Sequence, residues 1–150
     1  MRLWLTRMLI ATALLLVAIQ FIPVNRSNPS VDPSRSIYAT LPVPVEVKGV
    51  FERSCNNCHS NQTAWPWYSH VAPVSWMVAR DVHQARKKMN FSEWATYSAQ
   101  RKEDRLEEIC EQVTNGEMPD RKYAIVRREA RLTPHEREAV CQWTDDSRQY

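Results

Sequence analysis

Glycine is nearly absent from this chain: its 150 residues contain two, Gly49 and Gly116. There is accordingly no G-x-G-x-x-G fingerprint and no glycine-rich phosphate loop, which excludes the common nucleotide-binding routes. The same scarcity, with few β-branched runs, argues against a sandwich or barrel of tight hairpins. Blocks of basic residues with interleaved aromatics are missing too. Lys and Arg number 20 against 17 Asp and Glu, and without Arg2 and Arg7 at the apolar N-terminus the balance is 18 to 17. So even a balance is no electrostatic footprint for nucleic acid. No internal repeat or low-complexity segment occurs. Hydrophobic residues at 43% and charged residues at 25% are ordinary globular usage. The length allows one compact domain, and what remains is a mostly helical one.

The N-terminus is the one long apolar run. Leu3 to Ile22 reads LWLTRMLIATALLLVAIQFI, and Met8 to Ile22 is uncharged for 15 residues. The run approaches one membrane span. No small-residue A-x-A site precedes Pro23-Val24-Asn25-Arg26, and no cysteine follows to carry a lipid. Residues 1–24 therefore read as an uncleaved anchor in preference to a removed signal peptide. Arg2 and Arg7 orient it with the N-terminus in the cytoplasm. The expectation is a single-pass inner-membrane protein with its C-terminal domain in the periplasm. Five of the nine prolines fall between Pro23 and Pro44. Proline fixes φ and removes donors, so residues 25–44 are expected to run as an extended, semi-rigid tether.

Helical patterning fills residues 45–150, the expected domain. Val47, Val50, Phe51 and Cys55 share one face of a helix predicted over Val45 to Cys58. A second opens at Pro73 or Val74, with Val74, Met77, Val78, Val82 and Ala85 on one side and Arg86, Lys87 and Lys88 at its end. The third spans roughly Ser98 to Asn115, with Leu106, Ile109, Cys110 and Val113 as its stripe and Gly116 just beyond. A fourth starts at Thr133-Pro134-His135-Glu136, a capping box with proline at the first helical position, and turns Ala139, Val140 and Trp143 inward.

Cys55 to His59 reads CNNCH, the C-x-x-C-H pattern of c-type haem attachment. Two thiols three residues apart project from about one turn and can each add to a haem vinyl group. The adjacent histidine then reaches the iron. With four cysteines and four histidines in 150 residues, random placement gives the pattern in roughly two sequences per thousand. Export also suits it, because haem is attached outside the cytoplasm. A zinc site competes, but His59 directly after Cys58 is an awkward third ligand and no second C-x-x-C or H-x3-H exists. A dithiol redox pair would want a βαβ setting that this chain lacks.

Candidates for a sixth iron ligand are Met118, His70, His83 and His135. Met118 is favoured because it sits in the loop Asn115-Gly116-Glu117-Met118-Pro119, where glycine ends a helix and proline stiffens the far side. Met77 and Met89 are accounted for by helix faces. His83 and His135 fall on charged stretches, while His70 lies in an aromatic loop and ranks next. An open sixth position stays possible. Trp65, Trp67, Tyr68, Trp76 and Trp94 are expected to help bury the porphyrin. Arg80 and Arg86 are either propionate partners or, by preference, a solvated helix face. Cys110 and Cys141 could form a disulfide if their helices present those faces to each other.

Several blocks in order, CNNCHSNQT, WPWYS, APVSW, NFSEW, GEMP and ARLT, make residues 45 to 145 resemble a family of small bacterial haem-binding-domain proteins. That resemblance implies an all-α, cytochrome-c-like domain with one covalently held haem c. Cys55 and Cys58 would attach it, with His59 and Met118 as axial ligands. Single-electron transfer between redox partner proteins, without enzymatic turnover, is the function expected. The alternative is a peroxide or gas sensor, or a peroxidase-like protein, with a displaceable sixth ligand. No nucleic-acid partner is expected.

Overall fold

The computed structural model describes residues 2–148; residue 1 of the expected anchor and residues 149–150 of the expected domain lie outside the described residues. The described chain is all helix and loop, without a strand. Helix α1, Arg2–Ala18, continues as a short 3-10 turn, Ile19–Phe21, and buries no residue. It is therefore not the enclosed core helix that could have explained its apolarity. One helix among the described residues, Arg2–Phe21, is long and apolar enough to cross a membrane.

The domain core is built from three main helices and the short segments packed between them. Helix α2, Ile37–Thr40, is a single turn capped by the Ser36 side chain. Then come α3, Val45–Ser54, and α4, Asn56–His59, with Cys55 at the break between them. The single helix expected over Val45 to Cys58 is thus bent: Cys55 has φ −119° and ψ −44°, off the helical geometry on either side. The bend lets α3 keep Val47, Val50 and Phe51 in the core while α4 turns toward α5, Val74–Lys88. Helix α6, Ala99–Thr114, lies along α8, Pro134–Ser147, with the short α7, Arg121–Val126, between them in sequence.

Leu106, Ile109 and Val113 of α6 meet Val140 and Trp143 of α8 and Phe51 of α3 in one buried cluster. Phe51 stacks on Phe91 at 4.9 Å and meets Trp143 edge-on at 5.3 Å. Such pairs add roughly 0.5–1.5 kcal/mol beyond the area they bury. The Thr133 cap forms as the sequence predicts, with Glu136 N–H on Thr133 Oγ1 at 3.2 Å and Thr133 N–H on Glu136 at 2.8 Å.

Residues 25–44 depart from the expected extended tether. Ile37 is fully buried in the core, and Tyr38 donates to Asn56 Oδ1 at 3.0 Å. Arg35 pairs with Glu93 at 2.7 Å. Further upstream, Asn28 donates to the Thr63 carbonyl at 2.9 Å and Asn61 to the Ser30 carbonyl at 3.1 Å. Proline density alone predicts extension; these side chains convert the extended segment into a strap laid on the domain.

Cys110 and Cys141 are bonded, joining α6 to α8 across 31 residues. Both cysteines flank the core seam rather than fill it, and that is why the stripe of α8 left the pairing open. In the chain-entropy account, closing a loop of this size stabilises by about 3–4 kcal/mol. Replacing both (Cys110→Ser with Cys141→Ser) is expected to lower the unfolding free energy by about that amount. A matching fall in the thermal midpoint would check it.

Candidate functional site

Helix α4 is four residues long, and polar side chains within it and just after it hold its shape. The His59 N–H bonds the Cys55 carbonyl at 2.9 Å. Ser60 Oγ donates to the Asn56 carbonyl at 2.7 Å, and Thr63 Oγ1 to the Asn57 carbonyl at 2.7 Å. Asn57 Oδ1 accepts from the Ala64 N–H at 2.8 Å. A turn this short has no cooperative helical stability of its own, so these side chains supply it.

The His59 ring reaches Met89, with Nδ1 3.1 Å from its carbonyl oxygen. A carbonyl can only accept, so Nδ1 carries the hydrogen and Nε2 is left with its lone pair. Burial holds His59 below the usual histidine range, which keeps the ring neutral. Met89 ends α5, and its neighbour Asn90 is fixed from several sides. Asn90 Nδ2 donates to Asn61 Oδ1 at 2.7 Å, the Asn90 N–H bonds the Tyr97 hydroxyl at 2.8 Å, and Ser92 Oγ accepts from the Asn61 N–H at 3.0 Å. Asn61, Asn90 and Ser92 are all buried. The NFSEW block thus fixes the carbonyl that fixes the histidine.

Cys55, His59 and Met118 line one cleft of about 60 Å³, whose walls include Phe51, Phe91, Ile109 and Val113. Met118 reaches it from the end of α6. The Glu117 N–H bonds the Gln112 carbonyl and the Gly116 N–H that of Val113, with Gly116 at φ 71°: the double-bonded, left-handed helix stop for which glycine is suited. The Met118 N–H bonds Gln112 as well, at 3.1 Å, so the residue starts from a fixed point. A larger hollow of about 290 Å³ lies between the strap and α5. It has no cysteine or methionine in its lining, so the candidate chemistry belongs to the smaller cleft.

Cys58 does not share that lining. It is half-buried one turn beyond Cys55, and burial, reinforced by the Asp81 and Asp120 carboxylates, pushes its thiol up to about 11. Burial first, and Cys58 second, push Cys55 up to about 12. Neither cysteine is in a disulfide. Thiols held neutral in this way are the reverse of an activated redox dithiol or a thiolate metal site. His70, His83 and His135 are exposed, and His135 is 3.0 Å from Glu46.

Three features escaped the sequence reading. Arg86 is a tie rather than a solvated side chain: it donates to the Ser60 and Ser27 carbonyls, Asn28 Oδ1 and Thr63 Oγ1, all within 3.1 Å. The aromatic residues do not form one haem-facing group, since Trp94 is fully buried in the core beside Phe91 while Trp67 is 79% exposed. Met89 and Arg105 line the cleft, and Arg105 Nε is buried without a hydrogen-bond partner among the described residues. Only the orphaned donor, which needs a ligand or water to satisfy it, points to something the cleft should hold.

Residues 14–146 match the haem-binding domain family model, and the chain belongs to that family. It therefore binds haem. No curated protein and no solved structure matches it. The residues fit that cofactor: two neutral thiols outside any disulfide, an imidazole with a bare nitrogen and a thioether in the same apolar cleft.

Asn61→Ala removes the partner of Asn90 and leaves buried polar groups unpaired. We expect a loss of about 1–3 kcal/mol in unfolding free energy, read from the urea midpoint in detergent.

Proposed function

We propose that the chain is a membrane-anchored, mono-haem c-type electron carrier of the periplasm, and not an enzyme. The observation that carries the reading is the convergence of Cys55, His59 and Met118 on one apolar cleft, with Cys58 one turn away. Cys55 and Cys58 would hold the haem through two thioether bonds, and His59 Nε2 and the Met118 sulfur would bind its iron. Bound haem supplies an iron centre that takes up and gives back one electron. The chain's own part is to keep that centre unchanged between the two states. Met89 holds the ring of His59, Gln112 and Gly116 hold the backbone of Met118, and the walls of the cleft exclude water. Arg105 and Glu108 pair with each other on the wall of the cleft, so the two charges there balance. Ligands carried on braced elements suit outer-sphere electron exchange with redox partner proteins, because neither has to leave. Helix α1 is long and apolar enough to place the domain at the inner membrane, with Arg2 and Arg7 on the cytoplasmic side.

In Cys55→Ala with Cys58→Ala, haem should be lost from the polypeptide on denaturation, as read by haem staining of a denaturing gel. Retention at the level of the parent protein would exclude thioether attachment.

Met118→Ala is the decisive variant for the carrier reading. A thioether favours ferrous iron and raises the potential relative to imidazole or water. The variant should keep its haem, have a lower reduction potential, lose the weak near-infrared band of methionine-ligated ferric iron and bind carbon monoxide. A parent protein that already binds carbon monoxide rapidly and completely at neutral pH would favour the sensor or peroxidase-like alternative. An unchanged spectrum and potential in Met118→Ala would remove Met118 from the ligand set.

A further inference from the structure

Helix α5 does not bury the whole of its apolar stripe. Val82 is buried, but Val74 and Met77 are exposed, and the loop before them exposes Val71 and Trp67. Phe21 and Ile22, just past α1, are exposed as well. Two ties join these groups. Gln20 Nε2 donates to the Ala72 carbonyl at 3.1 Å while the Ala72 N–H donates to Gln20 Oε1 at 2.9 Å, and Arg26 reaches the Ser69 carbonyl at 3.3 Å. The end of the apolar helix is therefore fastened to the exposed loop.

We infer that the loop Trp67–Val74, with Phe21 and Ile22, sits in the interface of the lipid bilayer that α1 crosses. The haem domain then lies on the membrane in one orientation instead of swinging from a tether. The inference rests on the proposed membrane span and adds to it. Arg2–Phe21 is 20 residues, about 30 Å of helix and about the thickness of the hydrocarbon core. Arg7 shortens the uncharged part to the 15 residues from Met8 to Ile22, about 22 Å. A span that short draws its flanks toward the hydrocarbon, and Gln20 cannot stand far above the headgroups. Bonded to Gln20 through both backbone groups, Ala72 is at the same depth. The side chains flanking it are of the interfacial kind: an indole, which favours the headgroup level, and small apolar groups beside it. The loop and the chain after α1 carry no Asp or Glu from Ile19 to Val31 or from Gln62 to Arg80, and Arg26 lies among them; Asp81 follows one turn beyond Met77 on α5, at the far edge of this face. Arg26 is the cation placed to meet anionic lipid.

Full-length, haem-loaded protein in vesicles of phosphatidylethanolamine and phosphatidylglycerol tests this by photo-crosslinking. Benzoylphenylalanine replaces Trp67, Val71, Leu14 within the span or Glu138 on α8, one at a time. Lipid adducts at 67 and 71 in yields comparable to position 14, with none at 138, are expected. Gln20→Ala should cut the yield at 67 several-fold and leave that at 14 unchanged. Adducts at 14 with none at 67 and 71, or crosslinks from 67 and 71 to a second protein chain, would overturn the docking and leave the span standing. Absence of lipid adducts at position 14 as well would overturn both.

Discussion

The hydrogen bond from His59 Nδ1 to the Met89 carbonyl is the contact on which the cleft depends. It decides which ring nitrogen is bare, and it does so with a backbone group that cannot rotate away. What makes the carbonyl dependable is the buried polar set behind it, in which Asn61, Asn90 and Ser92 satisfy one another. Buried polar groups of this kind are costly when half-satisfied and rigid when complete. The peptide after the histidine and the peptide after α5 are stapled together by the same side chains that close each turn. Phe91, between Asn90 and Ser92, faces the other way: it stacks on Phe51 and lies 6.2 Å from the His59 ring. A single short block thus ties the hydrophobic core, the polar staple and the imidazole together.

Arg86 extends the same logic to the strap. Its guanidinium spends its donors on acceptors from residues 27 and 28 on one side and 60 and 63 on the other. Burial lowers the pKa of Arg86, a cost that a guanidinium accepts when carbonyl and hydroxyl acceptors surround it. The chain leaving α1 is consequently part of the structure that shapes the CNNCH turn. Flexibility is therefore a poor description of residues 25–44: Pro33 opens a 3-10 turn, Ile37–Thr40 is helical, and the domain supplies bonds to the extended parts.

Periodicity made the helices legible because α3, α6 and α8 each bury a stripe in one common core, and Gly116 and Thr133 stood where their local chemistry demands. CNNCH and the Met118 loop were legible for the same reason: both are local patterns, complete within five residues. What escaped was non-local. The role of Arg86 depends on acceptors 23 to 59 residues away, and that of Met89 on a carbonyl, which no side-chain pattern reports. The strap was misread because proline content describes backbone preference and says nothing of Ile37 or Tyr38 finding partners in the folded domain. Counting tryptophans could not separate Trp94, fully buried, from Trp67, left outside. The apolar side of α5 was visible in the sequence, but spacing alone does not say which of its residues the core covers: Val82 is buried, while Val74 and Met77 are exposed.

The two candidate iron ligands line one cleft but are held by different elements. His59 is fixed through α5, whose end is stapled to Asn61. Met118 is fixed through α6, whose last carbonyls take the amides of residues 116–118 and whose flank is bonded to α8 at Cys110 and Cys141. Phe51, Ile109 and Val113 belong both to the core and to the wall of the cleft that His59 and Met118 line. Moving that wall therefore displaces core side chains at interior density, which resists compression. For an electron carrier that resistance is the useful property, because the ligand geometry then differs little between oxidised and reduced states. A sensor would instead need one ligand on an element free to move. Met118, though its side chain is partly exposed, has its backbone tied to α6 and so lacks that freedom.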